Sequence, residues 1–193
     1  MVSDPREPGQ PALFLDRDGV INRDTGHVFR IGDFVWLPGI FDTVRTANSL
    51  GMAVVVVTNQ AGIAKRLYTE ADFHRLTAWM KDEFAHAGAA LTDVYFCPDH
   101  PDAVGDPATI SCRKPSPGML LRAAQDHHLD LRRSVLLGDQ ESDIEAGRAA
   151  GLAETALFAP EGPKSTHADV ILSSHADACA WLQLTFSRPW KPS

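Results

Sequence analysis

The sequence predicts a doubly wound α/β fold built on a mainly parallel sheet flanked by helices. Three observations carry that expectation. Short apolar runs of strand length alternate with amphipathic stretches of helix length along most of the 193 residues. One run, Met52–Thr58, holds four consecutive valines, which is too continuous for a strand with one wet face and suits a sheet covered on both sides. The chain shows no repeat, low-complexity tract or linker that would divide it, so one domain over 12–186 is expected, between a proline-rich flexible arm (1–11) and a loose tail (187–193).

Each element has a local reason. Leu13–Asp16 is a short apolar run, read as the first strand, and 22–38 is a loop. Pro38-Gly39 opens a helix that runs to about Leu50 and is stopped by Gly51. After the valine strand, Thr69 with Asp72 forms an N-cap pattern that starts a helix to about Ala87. Val94–Cys97 is a third strand, 117–128 a helix, Val135–Gly138 a strand, and Glu141–Ala150 a helix closed by Gly151. Short strands near 155–158 and 169–172 and a last helix over about 176–184 complete the pattern.

Composition narrows the function classes. Hydrophobic residues make up 44% and charged ones 22%, as in ordinary soluble globular domains. A net charge of −7 argues against a sequence-independent grip on nucleic acid or an anionic membrane, and makes any anionic substrate depend on a local cation. Three cysteines, Cys97, Cys112 and Cys179, fit a reducing compartment better than a disulfide framework. No run approaches the roughly 18 apolar residues of a membrane span, and the first eleven residues are polar, so a soluble cytoplasmic protein is expected.

The chemistry gathers at strand ends, where open α/β sheets bind ligands. Asp16 and Asp18 leave the first strand two residues apart, hence on one side. Carboxylates held that close repel, and the arrangement suits a magnesium ion, which takes carboxylate, phosphate and water oxygens; the alternative is a solvated Asp-rich turn. Thr58 ends the valine strand and is followed by Asn59, Gln60, Ala61 and Gly62, a turn able to offer a hydroxyl and amides to a phosphoryl oxygen. Arg113 and Lys114, stiffened by Pro115, could clamp an anion. Asp139 follows Gly138 at a fourth strand end and is aimed at the metal, with Asp143 placed to orient a neighbour such as Lys114. Each pattern alone is also an ordinary turn or a solvated charge; the four in order, each at a strand end, are specific.

On these residues the chain resembles the haloacid dehalogenase (HAD) superfamily. The closer resemblance is to the capless branch that contains the D-glycero-D-manno-heptose-1,7-bisphosphate 7-phosphatases and the histidinol-phosphate phosphatases. It rests on Leu-Asp-Arg-Asp-Gly-Val-Ile-Asn (15–22), Pro38-Gly39, Thr-Asn-Gln-Ala-Gly-Ile (58–63) and Cys-Arg-Lys-Pro-Ser-Pro-Gly-Met-Leu (112–120), over roughly residues 12–160. The resemblance implies a magnesium-dependent phosphomonoesterase with Asp16 as nucleophile and Asp18 as acid and base. Metal would be held by Asp16, Asp139 and the main-chain carbonyl of Asp18, and phosphoryl oxygens by Thr58, backbone amides and Lys114. Asp24, Thr25, Gly26, His27, Asn59, Gln60, Ala61 and Arg113 would line the pocket for the rest of the substrate, most readily a heptose bisphosphate, with histidinol phosphate or another small sugar phosphate as alternatives.

The sequence also departs from that branch. A structural zinc is common there, held by Cys-x-His and Cys-x-Cys, but here the places hold Cys97, Asp99, Ser111 and Cys112, with His100 one residue late. Zinc prefers four Cys or His ligands, so an absent or weak site is expected, with Cys97 and Cys112 as buried thiols. His27 stands where the family shows an aromatic residue, and Gln140 where the bisphosphatases often have lysine. Both changes fall at the substrate end. A receiver-type signalling domain is disfavoured because the aspartate pair lies on the first strand, and a phosphate-binding pseudo-enzyme because Asp16 is present. A monomer acting on a small phosphorylated substrate, with no nucleic-acid or membrane partner, completes the expectation.

Overall fold

The computed structural model describes residues 9–99, 112–162 and 165–186. Six strands form one sheet: β1 (Ala12–Leu15), β2 (Ala53–Asn59), β3 (Asp93–Cys97), β4 (Val135–Gly138), β5 (Glu154–Phe158) and β6 (Val170–Leu172). All the pairings are parallel and the order is β3-β2-β1-β4-β5-β6. The helices are α1 (Ile40–Ser49), α2 (Ala61–Ala64), α3 (Glu70–His86), α4 (Gly118–His127), α5 (Glu141–Ala150) and α6 (His175–Phe186). The expected doubly wound architecture is the one observed, and no inserted domain interrupts it among the described residues.

Alternation along each strand sends side chains into two separate cores. Leu13, Leu15, Val54, Val56 and Leu137 face α1, α3 and α6, whereas Phe14, Val55, Val57 and Leu136 face α4 and α5. Every β1 residue is fully buried, which is why that run carries no polar side chain until it ends at Asp16. Each such Leu or Phe contributes about 1.5–3 kcal/mol by leaving water. Because β1 pairs with β2 on one side and β4 on the other, the chain reverses direction across the sheet there, the crevice where such folds bind ligands.

Local signals hold where expected. Thr69 and Asp72 form a reciprocal capping box at α3, and Gly151 ends α5 at a left-handed φ of 79°. Other features were not foreseen. The loop over 22–38 contains a 3-10 turn (Ile31–Asp33), and α2 follows β2 after only one residue. The strand expected near 169 begins at Val170, while Asp169 itself donates its N–H to Thr155 O (2.9 Å) and accepts at its carboxylate from the Thr155 amide and hydroxyl. Of the arm expected over 1–11, residues 1–8 lie outside the described residues, as does the tail over 187–193. Gln10 is tied down, donating to His128 O (3.1 Å) and accepting from Asp130 N (2.9 Å).

One expectation is corrected. Cys97 and Cys112, read as two thiols, are joined as a disulfide, since the end of β3 and the Arg-Lys turn bring their Cα atoms to 5.5 Å. Asp99 lies 3.7 Å from the Cys112 sulfur, so that, if the bond were reduced, the two thiols and Asp99 would form a group of three metal-capable residues. His100 and Ser111, which bear on the zinc expectation, lie outside the described residues.

Candidate active site

The strand ends converge as the motifs imply. Asp16 follows β1 and fixes its backbone by donating its N–H to Leu137 O of β4 (3.0 Å). Its Oδ1 meets Lys114 Nζ at 2.6 Å, and that ammonium also donates to Asp143 Oδ1 (2.7 Å) and Val57 O (2.7 Å). All three lysine protons are therefore engaged. The lysine is 3% exposed and its main chain is clasped from both sides: Asn59 Oδ1 accepts from Lys114 N (3.0 Å) and Asn59 Nδ2 donates to Lys114 O (3.1 Å). Asn59, expected to face substrate, thus has both ends of its amide on the Lys114 turn while still lining the cavity.

Asp143 has both oxygens occupied, one by Lys114 and the other by Gln140 N (3.1 Å), the cap of α5. Gly138 lets it come this close, since a Cβ there would sit 2.3 Å from Asp143 Cβ. Gly19 does the same for Asp139: it has φ of +90°, and a Cβ would fall 2.4 Å from Asp139 Oδ2. That Oδ2 accepts from Gln140 Nε2 (2.7 Å), while the buried Oδ1 has no hydrogen-bond partner among the described residues.

The carboxylates of Asp16, Asp139 and Asp143 place oxygens within 4.8 Å of one another. Burial pushes Asp16 up to about 8; Lys114 opposes this, and Asp143, Asp139 and Asp18 add to it. Burial likewise pushes Asp139 up to about 6, against its bond from Gln140. Burial alone would lower Lys114, but Asp16 and Asp143 hold it above the usual lysine range. One ammonium against three crowded carboxylates leaves an excess of negative charge. An orphaned carboxylate oxygen in an all-oxygen donor set is what a hard divalent cation fits, and such an ion would reverse the upward shifts of Asp16 and Asp139. The residues present therefore fit magnesium. Asp143 is the third carboxylate of the cluster, already engaged by Lys114 and Gln140, whereas Asp18 was expected to contribute only its main-chain carbonyl.

The Asp18 side chain turns the other way. Its Oδ1 accepts from Asn22 Nδ2 (2.9 Å) and Arg17 Nη2 (3.0 Å), its Oδ2 from Arg17 Nη2 (2.7 Å) and Gln60 Nε2 (3.1 Å). Only its main-chain carbonyl would remain for the metal, as the resemblance implied. Gln60 Nε2 also donates to Thr58 Oγ1 (2.8 Å). With its oxygen accepting there, Thr58 keeps its own hydroxyl proton to give to a phosphoryl oxygen. Tyr68 Oη donates to Gln60 Oε1 (2.5 Å), and burial pushes the phenol up to about 12, so it stays protonated at working pH.

These groups line a cavity of about 350 Å³. Asp24, Gly26, His27, Gln60, Ala61 and Arg113 are at its wall, as expected, but Thr25 is not. Gly26 N donates to Asp24 Oδ1 (2.8 Å), and His27 holds a left-handed φ of 51°, so this wall is a tight turn. Arg113 is anchored to Asp99 O (3.2 Å). Sequence reasoning missed Lys65, Tyr68 and Ser142, which also line it. A cue existed for the first two, since they follow the Thr58 motif within ten residues, but their direction depends on how α2 folds back.

Comparison with known proteins agrees with this geometry. A family model described as HAD-hydrolase-like matches residues 111–161. The chain is 55% identical over 149 residues to the D-glycero-alpha-D-manno-heptose-1,7-bisphosphate 7-phosphatase of Burkholderia mallei, covering 76% of this chain and 79% of that protein. It is 42% identical over 173 residues to the corresponding beta-named phosphatase of Yersinia pestis, covering 86% and 92%. Among solved structures, a HAD-like phosphatase from Mesorhizobium loti superposes with a TM-score of 0.80 at 34% identity, covering 96% of this chain and 91% of that one. The D,D-heptose 1,7-bisphosphate phosphatase of B. bronchiseptica, complexed with magnesium and phosphate, superposes at 0.76 with 27% identity, covering 91% and 99%. With the motifs at four strand ends, these identities show that the chain is a phosphoric monoester hydrolase of the HAD superfamily and belongs to the D-glycero-D-manno-heptose-1,7-bisphosphate 7-phosphatase family.

Proposed function

We propose that this enzyme removes the 7-phosphate of D-glycero-D-manno-heptose 1,7-bisphosphate through a phosphoaspartate on Asp16. The observation that carries the reading is the buried Asp16 held by Lys114 at 2.6 Å beside an Asp139 oxygen that has no partner among the described residues. Magnesium held by Asp16, Asp139 and the Asp18 carbonyl supplies, when bound, positive charge that offsets the repulsion between carboxylate and phosphate. Asp16 attacks phosphorus, and the P–O bond to the sugar breaks as Asp18 gives its proton to the leaving oxygen. Asp18 then takes a proton from water, whose oxygen attacks the phosphoaspartate, releasing phosphate and restoring Asp16. Thr58 donates to an equatorial oxygen, and Lys114 keeps Asp16 oriented between turnovers.

On the leaving-group side, Asp24, Gly26 and His27 form one wall and Arg113 the other. The Arg113 fork suits the second phosphate, whereas the amine of histidinol phosphate would meet it unfavourably. The identity to the alpha-named relative supports the α anomer as the preferred form. The expected setting is the cytoplasm, with a monomer as the working unit; no helix among the described residues is long and apolar enough to cross a membrane.

The test is phosphate release from the heptose bisphosphate, histidinol phosphate and p-nitrophenyl phosphate, after chelation and again with magnesium. The heptose bisphosphate should give the highest kcat/KM, and activity should vanish on chelation and return with magnesium. A higher kcat/KM on histidinol phosphate would overturn the substrate, and full activity after exhaustive chelation would overturn the metal.

A further inference from the structure

We propose that Tyr68 and Gln60 are positioning residues that hold the Asp18 carboxyl in place to protonate the leaving oxygen. This rests on the reading of Asp18 as the acid and base. Gln60 is 2% exposed and Tyr68 6%, and both line the active-site cavity.

The proton directions follow from chemistry when Asp18 is ionised. Its carboxylate then only accepts, so the Gln60 nitrogen faces Asp18, with Thr58 accepting from the same nitrogen, and the Gln60 oxygen faces Tyr68. The Tyr68 hydroxyl therefore donates to Gln60 Oε1. A terminal amide has a broad, roughly two-fold torsion, and nothing in its own bonding prevents rotation. The Tyr68 hydroxyl supplies that restraint, holding the Gln60 oxygen so that the two N–H groups stay on their acceptors.

The surroundings are built to place this hydroxyl. Phe29 stacks on the Tyr68 ring with centroids 5.0 Å apart and planes 10° from parallel. Gly62 leaves the space the ring occupies, since a Cβ there would lie 2.1 Å from Tyr68 Cε1. Asp18 has other donors in Arg17 and Asn22, but both come from its own turn. Gln60 is the one donor among the described residues that ties Asp18 to the β2 side, where Thr58 meets the phosphoryl group. Loss of the tie lets the acid drift relative to the bond it must protonate, and displacements of an ångström cost up to about 100-fold.

The test uses the full chain with magnesium and two esters: the heptose bisphosphate, whose sugar oxygen needs a proton to leave, and p-nitrophenyl phosphate, whose phenolate needs little help. Tyr68→Phe keeps the stacked ring and removes only the hydroxyl. It should lower kcat on the heptose bisphosphate about tenfold with KM little changed, a loss at least about fivefold greater than on the aryl ester. Gln60→Met should show the same imbalance more strongly, and thermal melts of both variants should stay near the wild type. Equal losses on the two esters would overturn the proposal, as would a raised KM with unchanged kcat, which marks a substrate contact instead. Asp18→Asn is the reference. If it discriminates between the esters and the two variants do not, the relay falls and the role of Asp18 stands; if it does not discriminate, both fall.

Discussion

The two sides of the cavity are made of different material. On the reacting side, Asp16, Thr58 and Asp139 sit at the ends of strands and Lys114 is fully engaged by buried acceptors. On the leaving-group side, Asp24, Gly26, His27 and Arg113 sit on turns, held by a few bonds to neighbouring backbone. A side chain at a strand end inherits the rigidity of the sheet, whereas one on a turn inherits the freedom of the turn. In the proposed mechanism chemistry is thereby fixed by the fold, and substrate choice by loops that the fold only supports.

The sharpest way to break this contrast is to remove the proposed nucleophile. Asp16→Asn should abolish turnover on every ester, by more than about 10⁴-fold, and abolish covalent labelling. If it kept most of its activity on any ester, the covalent mechanism would be wrong. A smaller effect, confined to one substrate, is expected on the turn side. Arg113→Ala should raise KM for the bisphosphate about tenfold, as for a lost charged hydrogen bond, with far less effect on p-nitrophenyl phosphate. An equal change in KM for both would move Arg113 to the reacting side.

The smallest effect should come from a buried residue that does not line the cavity. Burial holds His175 below the usual histidine range, against its bond to Val20 O (2.9 Å). The folded state then binds fewer protons than the unfolded one, so this contribution is complete above about pH 6.5 and is lost as pH falls towards the lowered value. His175→Gln should be less stable at pH 7.5 yet lose less on going to pH 5.5 than the wild type does. Denaturant melts at the two pH values check this, and equal losses would remove His175 from the account.

The contrast also explains what could be read from the sequence. Buried strands announce themselves as unbroken apolar runs, and a carboxylate after such a run has to be at the strand's end, so Asp16 and Asp139 were legible, as was the pairing of Asp143 with Lys114. Tyr68 and Lys65 were not, because a residue on a turn shows nothing of its direction until α2 is folded back on β2. The expected thiols at 97 and 112 failed for a related reason: separation along the chain does not reveal a Cα approach of 5.5 Å. Asn59, which the resemblance placed in the pocket, lines the cavity and also grips the main chain of Lys114, a second task that its position after β2 does not announce.

Strand β1 is hydrogen-bonded on both sides, while β3 at the sheet's edge is bonded on one. Opening β1 breaks two ladders together, so the amide of Asp16, bonded to Leu137, exchanges its hydrogen only when the sheet as a whole comes apart. The turns that face the sugar can breathe far sooner. Hydrogen exchange should therefore be slowest at Asp16 and faster at the turns over 24–27, so that opening at the mouth need not loosen the aspartate proposed to react.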